Sequence, residues 1–320
     1  MAELSKPILA RCNDRSVLAK EHPTAGNPDI WFDNKHLTHH NVIGCSFDFF
    51  IDWSATPNKV SPTIWIKRVL SPPHSYQSIS SDISNILFTE FGVAHLKAIS
   101  TFCVSFRLEC KILIFRDDYD WSDDNSELMF VTITESSVAN NSFEFEIIPL
   151  STLKNQIQQY SGGPVVIGHK GLIYGTSRLE CALSNTNSLY PGDADLLILD
   201  KDYKPISLIE FKKHTLTKDI HQEKLSNWYP NPDKRKYDRL AILQDYLSTQ
   251  TNSIPFFTLY FPTRPQFKIG ILELISGPVG NMKSLIASPF NLPQVSKPET
   301  FQPIIEKVLK GIAYHYSNVE

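Results

Sequence analysis

Two apolar runs of strand character lie close together in the second half of the chain, over residues 192–200 and 205–213. The polar stretch between them is typical of a turn, so the pattern predicts a β-hairpin. Symmetric pairing about this turn places Asp195 opposite Glu210, and like charges at such positions destabilise an antiparallel pair. The period of two along a strand places Lys212 on the same face as Glu210. A divalent cation held between the two carboxylates would remove the repulsion.

The first 150 residues have the pattern of a β-rich domain. Short apolar runs indicate strands, and one longer stretch with helical spacing indicates a helix over 82–96. The predicted strands cover 42–51, 63–69, 102–108, 111–115, 129–134 and 143–148. We therefore expect an N-terminal β-rich domain over 1–150 that recognises a target or a partner, or receives an activating signal.

The second half has the pattern of an α/β domain. A helix over 151–160, with Ser151 as its N-cap, places the domain boundary near residue 150. The predicted elements after it are helices at 175–184, 218–228, 234–249 and 302–316, and strands at 254–261 and 267–275, in addition to the hairpin. This order predicts a mixed α/β (α+β) domain over 151–320 with a central sheet flanked by helices.

Charge is divided unevenly between the two halves. The 320 residues carry a net charge of −3. Counted from the sequence, residues 1–150 hold 12 Lys and Arg against 19 Asp and Glu, whereas residues 151–320 hold 19 against 15. The hairpin therefore lies in the basic half, as a phosphate-binding module joined to a different kind of domain would place it.

The cysteines and the hydropathy pattern bear on the compartment. The number of cysteines is odd, at five, and no Cys-x-x-Cys pair is present, so we expect free thiols in a reducing compartment. No apolar run reaches the length of a signal peptide or of a membrane span. The sequence therefore predicts a soluble, cytoplasmic protein with no membrane partner.

The segment Gly192-Asp193-Ala194-Asp195, followed 15 residues after Asp195 by Glu210-Phe211-Lys212, resembles the core motif of the PD-(D/E)XK, or restriction-endonuclease-like, nuclease superfamily. That motif places an Asp at the start of one strand and Glu-x-Lys on the next. Pro191 is displaced from the Pro-Asp pair of the family, and Gly-x-x-Asp is a common variant. The resemblance covers about a third of the chain, residues 170–275, and implies a restriction-endonuclease-like fold there.

The resemblance also implies roles for individual residues. Asp195 and Glu210 would bind Mg²⁺ or Mn²⁺ together with the Phe211 carbonyl, because Mg²⁺ prefers a few carboxylates, waters and phosphate oxygens. Many members add an acidic residue on the preceding helix, and Glu180 is the candidate here, as a direct or water-mediated ligand. Lys212 would orient the attacking water or stabilise developing negative charge.

Basic residues after the motif are candidates for contacts with nucleic-acid phosphates, which supply much of the affinity in such complexes. They are Lys213, Lys234, Arg235, Lys236 and Arg239. Arg235 and Arg239 share a face of the predicted helix because they are four residues apart. The alternative for this helix is an ordinary solvated basic face.

Other assignments near the motif stay open. Asp193 could pair with Lys212 or act in the outer shell of a metal, and His214 could serve as a general base. The alternative to a metal site is a surface hairpin whose end charges form a salt-bridge cluster.

The function implied by the resemblance is Mg²⁺-dependent hydrolysis of phosphodiester bonds by a DNA endonuclease, similar to restriction and anti-phage effectors. RNA cleavage by the same metal site is one alternative. A catalytically silent module that binds nucleic acid or protein is another. A homodimer, or a protein partner bound through the N-terminal domain, is compatible with each of these functions.

Overall fold

The structure is a computed structural model that describes residues 3–166, 171–248 and 253–318. The chain has a mixed α/β fold with a large mixed sheet flanked by helices. It divides into two compact units, the first formed by residues 1–19 and 47–193 and the second by residues 20–46 and 194–320.

The strands are β1 (Leu4–Ser5), β2 (Ala10–Arg11), β3 (Ile43–Asp52), β4 (Lys59–Leu70), β5 (Glu109–Phe115), β6 (Glu127–Ile133), β7 (Phe145–Pro149), β8 (Tyr174–Gly175), β9 (Gly192–Leu199), β10 (Pro205–His214), β11 (Phe256–Pro262), β12 (Ile269–Ser276) and β13 (Lys283–Asn291). The helices are α1 (Pro28–Trp31), α2 (Asn34–Leu37), α3 (Tyr76–Ser80), α4 (Ile83–Phe91), α5 (Val93–Ser105), α6 (Glu135–Ala139), α7 (Leu150–Tyr160), α8 (Arg178–Leu183), α9 (Lys234–Leu247) and α10 (Gln302–Asn318).

The division of the chain differs from the expected boundary near residue 150. Helices α7 and α8 belong to the first unit, because Leu153 and Leu179 pack into a core that also contains Trp65. Residues 20–46, in contrast, belong to the second unit, where Trp31 packs edge-on against Phe261 of β11. Hydrophobic spacing along the chain does not reveal which distant core a segment joins.

In the first unit the strand order is β3-β4-β5-β6-β7. Strands β4 and β5 are parallel, the other neighbours in this row are antiparallel, and β1 adds antiparallel to β4. The strands predicted near 42–51, 63–69, 111–115, 129–134 and 143–148 are confirmed. Helix α7 is also confirmed, although Pro149 and not Ser151 is its N-cap.

Two predictions in this unit are wrong. The single helix over 82–96 is broken at Gly92, which has φ +76° and separates α4 from α5, a conformation that glycine adopts without steric cost. The strand predicted over 102–108 begins inside α5, whose buried Ile99, Phe102 and Cys103 recur at helical spacing. A short apolar run alone does not separate a buried strand from a buried helix.

A disulfide bond joins Cys12 to Cys181 in the first unit, with the two Cα atoms 5.4 Å apart. The expectation of five free thiols is therefore wrong for this pair, whereas Cys45, Cys103 and Cys110 are free and buried. The bond spans 169 residues of the sequence, and the pairing of β2 with β8 brings its ends together. The argument from free thiols for a reducing compartment is thereby removed.

No single helix within residues 3–166, 171–248 and 253–318 is long and apolar enough to cross a membrane; the pair α4 and α5, bent by 94°, has the length and composition only when its two helices are taken together.

In the second unit the strand order is β13-β12-β11-β10-β9, followed by the first residues of β3. Strands β10 and β11 are parallel, and α9 lies in the crossover between them, as a parallel connection requires. The remaining pairs among β9 to β13 are antiparallel. Helix α10 is confirmed and packs Ile305 and Val308 into the core of this unit.

The segment between β10 and α9 is not the helix predicted over 218–228. It contains two short 3₁₀ turns, Ile220–Gln222 and Leu225–Asn227, because its buried Ile220 and Leu225 are five residues apart and do not continue a helical stripe. Helix α9 ends at Leu247, and the predicted end at Thr249 lies outside the described residues. Strand β13 was not predicted, since it is exposed over most of its length and lacks apolar alternation.

Candidate functional site

The hairpin formed by β9 and β10 positions the first two candidate residues. Leu196 lies opposite Ile209, and continuing this register by one residue places Asp195 opposite Glu210, as symmetric pairing predicts. The register shifts between Pro205 and Ser207, close to the turn. The irregularity therefore lies at the far end of the hairpin from the two carboxylates.

Glu210 is wholly buried, and neither of its carboxylate oxygens has a hydrogen-bond partner among the described residues. Its Oε1 atom is instead at ion-pair distance from two ammonium groups, 3.1 Å from Lys212 Nζ and 2.8 Å from Lys236 Nζ. A buried carboxylate is costly unless it is paired with cations. These two lysines therefore compensate the charge at Oε1, whereas Oε2 has no hydrogen-bond partner among the described residues.

Asp195 is partly buried and completes the carboxylate pair. Its Oδ2 atom accepts a hydrogen bond of 2.7 Å from the backbone N–H of Phe211. The same oxygen lies 3.9 Å from Lys236 Nζ, and the backbone carbonyl of Asp195 accepts a hydrogen bond from Ser46 Oγ. The main chain of β10 thus orients this side chain, and Ser46 on β3 holds its backbone.

Lys212 is 7% exposed, and it is held on several sides. Its Nζ atom donates to Asp233 Oδ2 at 2.5 Å and lies 5.0 Å and 5.4 Å from the ring centroids of Trp228 and Tyr237. Asp233 precedes α9, but its side chain makes no capping hydrogen bond, because its carboxylate is bound to Lys212. The ammonium group is thus enclosed by two carboxylates, those of Asp233 and Glu210, and by two aromatic faces.

The basic residues predicted to contact nucleic acid differ in their surroundings. Lys236, in the first turn of α9, reaches Glu210 and Asp195 as described above. Lys234 forms an ion pair with Asp238, one turn further along the helix. Arg235 is exposed, whereas Lys213 and Arg239 are half-buried. Helix α9 thus directs one lysine into the carboxylate pair and presents Arg235 at the surface.

His214 does not have a ring nitrogen available for general-base chemistry. Its Nδ1 atom is 2.6 Å from Glu223 Oε1, and its Nε2 atom is 2.8 Å from the Lys218 carbonyl. Both nitrogens are therefore engaged in holding the segment that follows β10.

Glu180 and Asp193 belong to the first unit, whereas Asp195, Glu210 and Lys212 belong to the second. Glu180 lies in α8, and its Oε2 atom accepts hydrogen bonds of 2.6 Å from both the backbone N–H and the hydroxyl of Thr176. This carboxylate therefore fixes the turn that leads into its own helix.

The first unit also contains a buried polar cluster that the sequence analysis missed. Asp48 is 2% exposed, 3.0 Å from Lys67 Nζ, and accepts a hydrogen bond of 3.2 Å from the Tyr190 hydroxyl. Burial raises the pKa of Asp48 to about 6; the Lys67 charge opposes this shift, and the Asp193 and Glu180 charges add to it. The signal in the sequence was Asp48 inside one apolar run and Lys67, followed by Arg68, inside another.

No group of three or more His, Cys, Asp and Glu side chains that could hold a metal ion occurs in the described parts of the chain. Mg²⁺ does not require such a group, because it retains waters and is usually bound through one or two carboxylates. The residues that fit this ion are Asp195 and Glu210, the latter with two buried oxygens that lack hydrogen bonds.

Comparison with family models, with curated proteins and with solved structures finds no match for this chain.

Proposed function

We propose that the chain is a metal-dependent nuclease that hydrolyses phosphodiester bonds, acting as a DNA endonuclease in restriction or anti-phage defence. Its second unit would then have a restriction-endonuclease-like fold. The observation that carries the proposal is the wholly buried Glu210 beside Asp195: its Oε1 contacts two lysines, and its Oε2 has no hydrogen-bond partner among the described residues. A site built only for stability would satisfy the second oxygen as well.

Asp195, Glu210 and the Phe211 carbonyl would hold Mg²⁺ or Mn²⁺. When bound, such an ion supplies an activated water and neutralises charge on the scissile phosphate. The hydrogen bond from Phe211 N–H to Asp195 supports this assignment, because it orients this carboxylate at the end of the hairpin where Glu210 lies.

Lys212 would act on the reacting phosphate. Its ammonium is already oriented by Asp233 and shielded by Trp228 and Tyr237, and a preorganised cation stabilises negative charge more strongly in a site from which water is excluded. Lys236 would bind a phosphate oxygen beside the carboxylates. Arg235 and Lys234 would contact the backbone of the nucleic acid further along the strand.

The remaining roles are proposed from the sequence. Glu180 would be a further ligand, direct or through water, and Lys213 and Arg239 would contact phosphates. The first unit would recognise the target, a protein partner or an activating signal. A homodimer would let two such sites cut both strands of a duplex.

The direct test incubates the protein with plasmid DNA, linear DNA and RNA in the presence of Mg²⁺, Mn²⁺ or EDTA. Cleavage of both DNA substrates with either metal, none with EDTA and none of RNA is the expected result. Cleavage of RNA alone would show that the substrate is RNA and not DNA. Cleavage that persists in EDTA, or in the variant Glu210→Gln, would contradict the metal site.

One contact favours a second candidate, a catalytically silent module. Lys236 Nζ lies 2.8 Å from Glu210 Oε1, so an ammonium can itself compensate the buried carboxylate. A protein of this kind would bind DNA or a protein partner and cut nothing with any metal. Filter binding of labelled DNA in EDTA and in Mg²⁺, run beside the cleavage assay, separates the two functions.

A further inference from the structure

A row of buried polar side chains crosses the sheet of the second unit behind the candidate site. Glu210 on β10 pairs with Thr258 on β11, and Thr258 pairs with Glu273 on β12. Residues paired directly across neighbouring strands lie on the same face of a sheet. All three side chains are wholly buried, so Glu273 is a second buried carboxylate on the face that carries Glu210.

Glu273 is bound on one oxygen only. Its Oε2 atom accepts hydrogen bonds of 2.7 Å from the Tyr260 hydroxyl and 2.8 Å from the Leu225 backbone N–H. Its Oε1 atom is buried and has no hydrogen-bond partner in the described part of the chain. A buried carboxylate of the sheet therefore holds one backbone N–H of the segment before α9.

That backbone group begins the 3₁₀ turn Leu225–Asn227. The first N–H groups of a helical turn have no partner within it and need one from elsewhere. Lys224, the residue before the turn, makes no side-chain capping bond, so Glu273 supplies the acceptor from the sheet.

The 3₁₀ turn Leu225–Asn227 also positions Trp228. The backbone N–H groups of Trp228 and Tyr229 both donate to the Leu225 carbonyl at 2.8 Å, and Trp228 Nε1 donates to Glu223 Oε2 at 3.1 Å. The Trp228 ring lies 5.0 Å from Lys212 Nζ. One continuous set of contacts therefore runs from Glu273 through the turn to the ring that covers Lys212.

We propose that Glu273 is a positioning residue that holds Trp228 over the Lys212 ammonium. It touches neither the proposed metal nor the proposed substrate. Its significance for catalysis rests on the proposed function, but its effect on Lys212 does not. Without Glu273, the Leu225 turn would lose its anchor, Trp228 would move away, and Lys212 would become accessible to solvent.

The test measures acetylation of Lys212 by acetic anhydride, followed by peptide mass spectrometry, in the full chain without nucleic acid. Glu273→Leu removes the acceptor, and the rate at Lys212 should rise about tenfold, which corresponds to the loss of a hydrogen bond to a buried donor. Glu273→Gln retains an acceptor and should restore the slow rate. The exposed Lys310 is the internal reference and should react at one rate in all variants.

Two further variants sharpen the assignment. Tyr260→Phe removes the other hydrogen bond of Glu273 and leaves the one to Leu225, so it should raise the Lys212 rate much less than Glu273→Leu does. Leu225→Pro removes the N–H donor itself. Proline is tolerated at the first position of a helical turn, and Lys224 before it is extended, with φ −160° and ψ 163°, as a residue before proline prefers.

An unchanged Lys212 rate in Glu273→Leu, with cooperative thermal unfolding retained, would overturn the proposal. If Glu273→Leu does not fold, the acetylation rate of Lys212 in Leu225→Pro takes its place. A faster rate supports the proposal, and an unchanged rate overturns it. If the protein cuts nucleic acid, Glu273→Leu should also lower kcat about tenfold and leave KM unchanged. A labelling change without any cleavage by the wild type would refute the nuclease and leave the positioning role, whereas cleavage with no labelling change would do the reverse.

Discussion

The Glu210 carboxylate lies between the ammonium groups of Lys212 and Lys236, at 3.1 Å and 2.8 Å from one of its oxygens. Lys212 comes from the same strand, and Lys236 comes from the helix that follows it. The two cations approach the carboxylate from different elements and differ in exposure. Lys212 is packed against aromatic rings, whereas Lys236 is more accessible and would compete with a metal at Glu210.

We expect Glu210→Gln to lose metal-dependent cleavage while it keeps the fold, because the amide has the same shape but is a poor ligand for Mg²⁺. Gel assays with plasmid DNA and calorimetric titration of Mn²⁺ measure both consequences. The matched control is Glu306→Gln on α10, where an exposed carboxylate faces Lys310, and this variant should cut as the wild type does. Wild-type cleavage by Glu210→Gln is the result that refutes the assignment.

Lys212→Met should lower kcat about 10²–10³-fold, the loss that follows removal of a preorganised group that stabilises transition-state charge. The affinity for DNA should change little, because Lys212 is 7% exposed. Single-turnover cleavage and filter binding separate the two quantities. An equal loss in binding and cleavage would show that Lys212 only holds the substrate.

Lys236→Met should raise the affinity for Mn²⁺, because it removes the ammonium that competes for Glu210. The same change should lower the free energy of unfolding in EDTA, by about 1–3 kcal/mol, and added Mn²⁺ should restore it. Urea unfolding with and without metal measures both effects. Lys234→Met is the control, because Lys234 pairs with Asp238 and is largely exposed; it should leave metal affinity unchanged.

Asp48 should make stability fall as the pH rises through about 6. Burial raises its pKa from 3.8 to about 6 in the folded protein, so the folded state holds a proton that the unfolded state releases. The stabilisation is complete below about pH 4 and is lost above about pH 6, with a size of about 2–3 kcal/mol. Asp48→Asn cannot titrate.

The measurement for Asp48 is the difference in unfolding free energy between the wild type and Asp48→Asn at several pH values. This difference cancels the carboxylates that do not interact with Asp48. The unfolding free energy of the wild type should fall relative to that of Asp48→Asn as the pH rises from 4 to about 6.5. A difference that stays constant, or that shifts in favour of the wild type, would contradict the raised pKa.

Loss of the Cys12–Cys181 bond should destabilise the protein by about 2–5 kcal/mol, because the bond restricts a long loop of the unfolded chain. Thermal unfolding of Cys12→Ser measures this, with the wild type in a reducing buffer as the comparison, which should be destabilised to a similar extent. Thiol titration of the denatured protein should find three reactive groups before reduction and five afterwards. Five groups without reduction would show that the bond is absent.

Local patterns accounted for the parts of the structure that depend on near neighbours. The turn between the two apolar runs predicted the hairpin register, because the position and length of a hairpin turn fix which residues face each other. Helix α10 and most strands followed from the spacing and runs of apolar residues. The helix predicted over 218–228 does not form. The backbone of this segment is held by distant partners such as Glu273.

By itself, the sequence determined that Asp195, Glu210 and Lys212 share one end of one hairpin, since strand pairing and the period of two leave little freedom within so short a segment. Only the tertiary structure decided how these charges are compensated. It brought Lys236 to Glu210, Asp233 and Trp228 to Lys212, and Cys12 to Cys181. Each of these pairs depends on long-range packing of separate elements, which residue spacing along the chain does not encode.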